Sequence, residues 1–165
     1  MHKQKEIKPK YLVKYKKKLK SPAQIITIAK SVIRLEAEEI NALEGKINDA
    51  FAKAVSLILS SEGRVIVAGV GKSANIASKI VATLNSTGQP AVFLHAADAI
   101  HGDLGNIQKN DIVICISKSG NTEEIKYLLP LIKNMGNAII AICGNNDSYL
   151  ANQADCFLDA SIEKE

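Results

Sequence analysis

The stretch Arg64-Val65-Ile66-Val67-Ala68-Gly69-Val70-Gly71-Lys72-Ser73 sets the class of fold from which the rest of the chain is read. After Arg64 comes a run of Val, Ile and Ala with no polar alternation, which predicts a strand buried on both faces. Gly69 and Gly71 then form a tight turn, and helical spacing of apolar residues predicts a helix over residues 73–85. Strand, glycine turn and helix in succession are the opening half of a parallel βαβ unit.

Outward from this unit the same alternation repeats. Residues 91–94, 111–116, 138–142 and 156–158 read as four further buried strands. A helix is expected from Thr122 to about Asn134, with Gly136 as its C-cap. Upstream, Ser21-Pro22 is an N-cap and first-turn signal. From there to about Ser60, Ile25, Ile28, Val32, Leu35, Ile40, Leu43, Ile47, Phe51, Val55 and Ile58 keep helical spacing, with Gly45 as a bend or break. The expected architecture is α/β: a three-layer αβα sandwich with a mostly parallel five-stranded sheet, preceded by N-terminal helices. Those helices exceed what one layer over a sheet needs, so part of them is expected to pack against another subunit.

Composition narrows the function. The chain has 165 residues, 47% of them hydrophobic, enough for one domain with its own core. Its formal charge of +4 is unevenly spread: residues 1–20 hold nine Lys against the single Glu6, leaving 12 basic and 16 acidic side chains in 21–165, a net −4. An acidic body lacks the basic face of a nucleic-acid binder. The Lys-rich arm is expected to be solvated, and docking on nucleic acid or an anionic membrane is the lesser reading. No apolar run approaches a membrane span, and the arm has no secretory h-region, so the chain is expected in the cytoplasm. Cys115, Cys143 and Cys156 lie in or beside apolar segments and read as small buried hydrophobes in a reducing compartment.

In parallel α/β sheets, ligands bind where strand ends feed helix N-termini, and three polar clusters fall at such ends. Gly69-Val70-Gly71-Lys72-Ser73 is not a nucleoside-triphosphate loop, because Ile66 stands where a first glycine is required. Gly69, Gly71 and Ala74 fit a relaxed dinucleotide fingerprint, but no acidic residue ends the second strand. Ser117-Lys118-Ser119-Gly120-Asn121-Thr122-Glu123-Glu124 gathers three hydroxyls and backbone donors at a helix start, which suits a phosphate monoester. N-capping alone would explain Thr122 but not Ser117 and Ser119 together. Glu124, beside a positive helix end, is expected to stay ionised at neutral pH unless desolvated. In the third cluster, His95, Asp98, His101 and Asp103 lack the spacing of a zinc motif, and two histidines within seven residues point instead to acid–base work.

In order and spacing, G-V-G-K-S, H-A-A-D-A-I-H-G-D-L-G from His95, I-S-K-S-G-N-T-E-E-I from Ile116 and A-D-C-F-L from Ala154 resemble the sugar isomerase (SIS) domain of arabinose-5-phosphate isomerases. The resemblance covers residues 33–165 and leaves out the arm. It implies a flavodoxin-like or Rossmann-like SIS domain that interconverts D-arabinose 5-phosphate and D-ribulose 5-phosphate through an enediol. Such enzymes feed 3-deoxy-octulosonate synthesis for lipopolysaccharide or capsule, need no cofactor or metal, and are typically tetramers. By the same resemblance Ser73, Ser117, Ser119 and Thr122 would hold the phosphate, helped by Lys118 and Gly120. Gly71, His95 and Asn121 complete the expected substrate contacts. Lys72, His101, Glu124 and Glu165 match the catalytic positions. Lys72 suits the developing oxyanion, and Glu124 or His101 the base, with no choice between the two.

Lys118 stands where asparagine is common in the family and Asn121 where glutamate is frequent; both change the charge beside the phosphate while keeping donors. Family members continue past Glu165 into a C-P-L-x-x-A-P-type stretch, a final helix pair and a further catalytic histidine. Many also carry two cystathionine-β-synthase-type domains. Residues 21–165 are therefore expected to be an SIS domain incomplete at its C-terminus, either a piece of a longer chain or a reduced module, after a Lys-rich arm at 1–20. The alternative to the isomerase is a non-catalytic SIS domain that senses a sugar phosphate or sugar nucleotide. The expected partners are a small phosphosugar and further copies of the chain, as a dimer or tetramer.

Overall fold

The computed structural model describes residues 20–162, so the arm up to residue 19 and the expected catalytic Glu165 lie outside the described residues. Five strands form one sheet: β1 (Val65–Gly69), β2 (Ala91–His95), β3 (Ile112–Ser117), β4 (Ile139–Cys143) and β5 (Cys156–Asp159). All pairings are parallel and the spatial order is β2-β1-β3-β4-β5. Every residue of β1 and β3 is buried, which explains why both read as uninterrupted apolar runs.

The described residues form six α-helices: α1 (Pro22–Ala42), α2 (Asp49–Ser60), α3 (Lys72–Ser86), α4 (Ala96–Ile100), α5 (Glu123–Asn134) and α6 (Tyr149–Gln153). Alternate strand residues feed two cores. Ile66, Ala68, Val113, Cys115, Ile139 and Ala141 pack with α4, with Leu150 of α6 and with Ile125, Leu128, Leu129 and Ile132 of α5. Val65, Val67, Ile112, Ile114 and Ile140 pack on the other face with Ala54 of α2 and Ala77 of α3. The result is the expected three-layer αβα sandwich.

Among the described residues, those up to Glu36 form one compact unit and those from Ala37 onward another. In the first, Ser21 opens α1 with a capping box: its hydroxyl accepts from the Gln24 N–H at 3.3 Å while the Gln24 side chain accepts from the Ser21 N–H at 2.9 Å. In the second, the expected break at Gly45 is a 3₁₀ turn, Leu43–Lys46, and Asn48 then caps α2 by accepting from the Ala50 N–H at 2.9 Å.

Two short helices depart from the sequence reading. The cluster after His95, read as loop, opens with α4, and the segment after β4 contains α6. Each is five residues long, less than two turns, so no 3.6-residue period can show.

At the amino ends of the strands, buried Asp111 locks the sheet. It accepts from the Arg64 N–H and from the Gln108 N–H at 2.8 Å each, and its Oδ2 also meets Arg64 Nη2 at 2.8 Å. Burial would raise this carboxyl, but the Arg64 side chain, the backbone donors and the guanidinium charge outweigh it and hold it below the ordinary carboxylate range.

Candidate functional site

The order in which strands are added reverses at β1: the crossover from β1 leads to β2 on one side, and the next strand, β3, lies on the other. This is a topological switch point, where the carboxyl ends of β1 and β3 open a crevice. A cavity of about 420 Å³ occupies it, lined by Val70, Ser73, Ser117, Lys118, Ser119, Thr122, Gly144 and Asn145. Five of the expected phosphate-binding residues are thus brought together: Ser73, Ser117, Lys118, Ser119 and Thr122.

The loop after β3 is built as a donor cradle. Ser117, buried, accepts from the Gly120 N–H at 3.1 Å, and Ser119 Oγ accepts from the Asn121 N–H at 3.3 Å, so each hydroxyl keeps its own proton to donate elsewhere. Asn121 is not among the lining residues: its amide oxygen accepts from the Tyr149 N–H at 2.9 Å and so ties the loop to α6. Gly120 adopts φ +67°, and a Cβ there would stand 2.1 Å from Ser148 Oγ, so no other residue fits.

Thr122 sits at the N-cap of α5, yet its hydroxyl makes no capping bond. Thr122 Oγ1 is buried without a hydrogen-bond partner among the described residues. A buried hydroxyl left unpaired costs about 1–3 kcal/mol, so its persistence beside three other hydroxyls points to a ligand that satisfies it. The N-cap of α3 is Gly71, at φ +58° and with no side-chain cap; the Ala74 N–H donates to the Gly71 carbonyl at 3.2 Å, which leaves the Lys72 and Ser73 amides facing the helix start as candidates for an acceptor. Two helix N-termini therefore border one cavity, with Lys118 on its wall and Lys72 at the start of α3.

The remaining expected site residues are distributed as follows. Glu124 is half-buried in the first turn of α5, two residues after Thr122, and Lys72 is exposed beside Ser73. His95 ends β2 in register with Gly69, next to the β1 turn. Its Nδ1 lies 3.7 Å from an Asp98 carboxylate oxygen, and its ring meets Phe93 edge-on at 6.3 Å. His101 is exposed immediately after α4 and is not among the cavity's lining residues.

Gly144 and Asn145 line the cavity but were not expected there. They follow β4 directly, so the rule that polar loops at strand ends carry ligands would have found Gly144-Asn145-Asn146-Asp147-Ser148. No three His, Cys, Asp or Glu side chains among the described residues form a metal-binding group. All three cysteines are free and buried, and burial pushes the Cys115 thiol up to about 12, which leaves it inert. No helix among the described residues is long and apolar enough to cross a membrane.

A second cleft, of about 350 Å³, lies at the amino ends of the strands beside Asp111 and Asn137. Asp111 is committed to Arg64 and Gln108, and the Asn137 amide donates to the Gln108 and Asp111 carbonyls at 2.7 and 2.8 Å. Its polar groups mainly hold the fold, unlike the open donors of the first cavity.

Comparison with known proteins agrees with this geometry. The chain is 48% identical over 137 residues to arabinose 5-phosphate isomerase KdsD of Pseudomonas aeruginosa, covering 83% of this chain and 42% of that protein. It is 40% identical over 141 residues to arabinose 5-phosphate isomerase GutQ of Salmonella typhi, covering 86% and 44%. The chain thus spans less than half the length of these relatives. Among solved structures it resembles the c3406 protein of E. coli CFT073 in complex with arabinose 5-phosphate, with a TM-score of 0.79, 38% identity, and 88% and 78% of the two chains covered. Residues 58–165 match the SIS domain model, and the chain belongs to the SIS domain family.

Proposed function

We propose that the protein is a phosphosugar isomerase that interconverts D-arabinose 5-phosphate and D-ribulose 5-phosphate. The observation that carries this reading is the unpaired, buried Thr122 hydroxyl in a cavity shared with Ser73, Ser117 and Ser119 between two helix N-termini. A phosphate monoester brings acceptor oxygens and a double negative charge to those donors. Relatives named arabinose 5-phosphate isomerase, and a similar structure in complex with arabinose 5-phosphate, support the choice of sugar.

With the phosphate anchored, the carbon chain extends toward Lys72, Glu124 and the histidines. Isomerisation removes a proton from the carbon next to the carbonyl, passes through an enediol and returns the proton to the neighbouring carbon, so no net proton or electron is exchanged. Lys72 stabilises the oxygen on which negative charge develops, and Glu124 or His101 moves the proton, with Glu165 as a second carboxylate. His95, Gly71 and Asn121 contribute to substrate binding by placement rather than by lining the cavity.

The wider setting is part of the same proposal. Residues 21–165 act as the SIS domain behind a Lys-rich arm at 1–20. The product feeds 3-deoxy-octulosonate synthesis for lipopolysaccharide or capsule in the cytoplasm. The protein works as a homo-oligomer, dimer or tetramer, a reading supported by the exposed apolar residues Leu43, Ile47, Phe51, Val55 and Leu59 on and just before α2. Turnover of arabinose 5-phosphate by the purified natural protein tests the assignment. Thermal stabilisation by sugar phosphates without turnover would favour a sensor domain instead.

A further inference from the structure

The loop that follows β4 adds a wall to the cavity and carries an asparagine that is only half used by the fold. Gly144 and Asn145 line the cavity together with Ser117, Lys118 and Ser119, and the Gly144 N–H donates to the Lys118 carbonyl at 3.0 Å, which seats this loop against the one after β3. Both oxygens of Asn145 serve the turn into α6. Its carbonyl accepts from the Ser148 N–H at 3.3 Å, and its Oδ1 accepts from the Asp147 N–H at 3.0 Å. With Oδ1 held in this way, the rest of the amide is Nδ2, which carries two N–H donors and no acceptor.

No hydrogen bond is made by Asn145 Nδ2 among the described residues. Asn121 provides the contrast: its Nδ2 donates to the Ser119 carbonyl at 3.2 Å, its Oδ1 accepts from the Tyr149 N–H, and it does not line the cavity. Asn121 is therefore spent on structure at both ends, whereas Asn145 is spent at one. A turn that uses only the side-chain oxygen is served equally well by aspartate. What asparagine adds at 145 is a pair of donors and the absence of a negative charge. Both suit a cavity that takes a dianion, and neither is needed for the turn.

We propose that Asn145 is a phosphate-binding residue of this cavity: with its oxygen held by the Asp147 N–H, its amide nitrogen donates to the phosphate monoester seated against the loop after β3. The proposal rests on reading the cavity as a phosphosugar site, and its test does not need turnover. Asn145→Asp keeps the acceptor for the Asp147 N–H and replaces the two donors by a charge. In the natural chain, Asn145→Asp is expected to weaken inorganic phosphate about tenfold or more in calorimetric titration, the scale of one hydrogen bond to a charged group, with the melting temperature preserved. In turnover of arabinose 5-phosphate the loss should fall on KM, with kcat within about threefold of wild type, because the phosphate is held alike in the ground and transition states. Asn146→Asp places the same charge one residue further on, outside the cavity lining, and at about 0.15 M salt should bind phosphate within about threefold of wild type. An Asn145→Asp affinity within about threefold of wild type, or an equal loss in Asn146→Asp, would overturn the proposal. Weaker sugar phosphate with unchanged inorganic phosphate would also overturn it, by assigning Asn145 to the sugar hydroxyls. Wild type that binds phosphate but does not turn over the sugar would overturn the isomerase reading alone, and wild type that binds no phosphate would overturn both.

Discussion

Thr122 Oγ1 is buried at the N-cap of α5, on the wall of the cavity at the carboxyl ends of β1 and β3. This hydroxyl has no hydrogen-bond partner among the described residues, so without a ligand it is a cost and with one it is a contact. Thr122→Val, close in shape, should leave the melting temperature unchanged or slightly raised. It should also weaken inorganic phosphate about tenfold or more, the worth of one hydrogen bond to a charged group. Calorimetric titration beside a thermal melt checks both halves; equal losses in stability and affinity would make Thr122 a structural residue. The sequence showed that hydroxyls gather at Ser117, Ser119 and Thr122. It could not show that Thr122 declines the capping bond its position offers, because that depends on the loop path set by Gly120 packing on Ser148.

At the scale of elements, the sheet is tied at its amino ends by the buried Asp111 and Arg64 pair, away from the chemistry at the carboxyl ends. Arg64→Met should cost about 3 kcal/mol of unfolding free energy, the low end for breaking a buried pair, since Arg64 is itself partly exposed. The pH dependence has a fixed sign. The folded-state carboxyl lies below its unfolded value, so its contribution is present above that value, near pH 4, and is lost as pH falls through the folded pKa. Denaturant melts from about pH 6 to about pH 2.5 should therefore show an acid limb that Asp111→Asn flattens; an unchanged limb would assign acid sensitivity elsewhere. All five strands were legible in the sequence as short apolar runs, uninterrupted where the strand is fully buried, as in β1 and β3, and still apolar in the partly buried edge strands β2 and β5. The order β2-β1-β3 was not, since pairing depends on which crossover returns to which side of β1. The helices α4 and α6 were too short to show a period, and with the loop leading to α6 went unread the contribution of Gly144 and Asn145 to the cavity.

At the scale of the whole molecule, α2 has two apolar sides. Ala50, Ala54, Leu57 and Ile58 cover the sheet, while Phe51, Val55 and Leu59, with Ile47 just before the helix, are exposed. Phe51→Glu should lower the mass measured by light scattering to that of a smaller assembly while leaving the far-ultraviolet dichroism unchanged; an unaltered mass would remove α2 from any interface. Whether the two helix N-termini and their hydroxyls hold a sugar phosphate for isomerisation is read from turnover itself. Purified natural protein is mixed with D-arabinose 5-phosphate and the formation of D-ribulose 5-phosphate is followed, with Lys72→Ala as the control. Wild type should convert the sugar, and Lys72→Ala should be slower by about a hundredfold or more with its melting temperature preserved, as expected for the loss of one oxyanion-stabilising group. Binding of the sugar phosphate without any ketose formed by wild type would make the protein a phosphosugar-binding domain and not an isomerase.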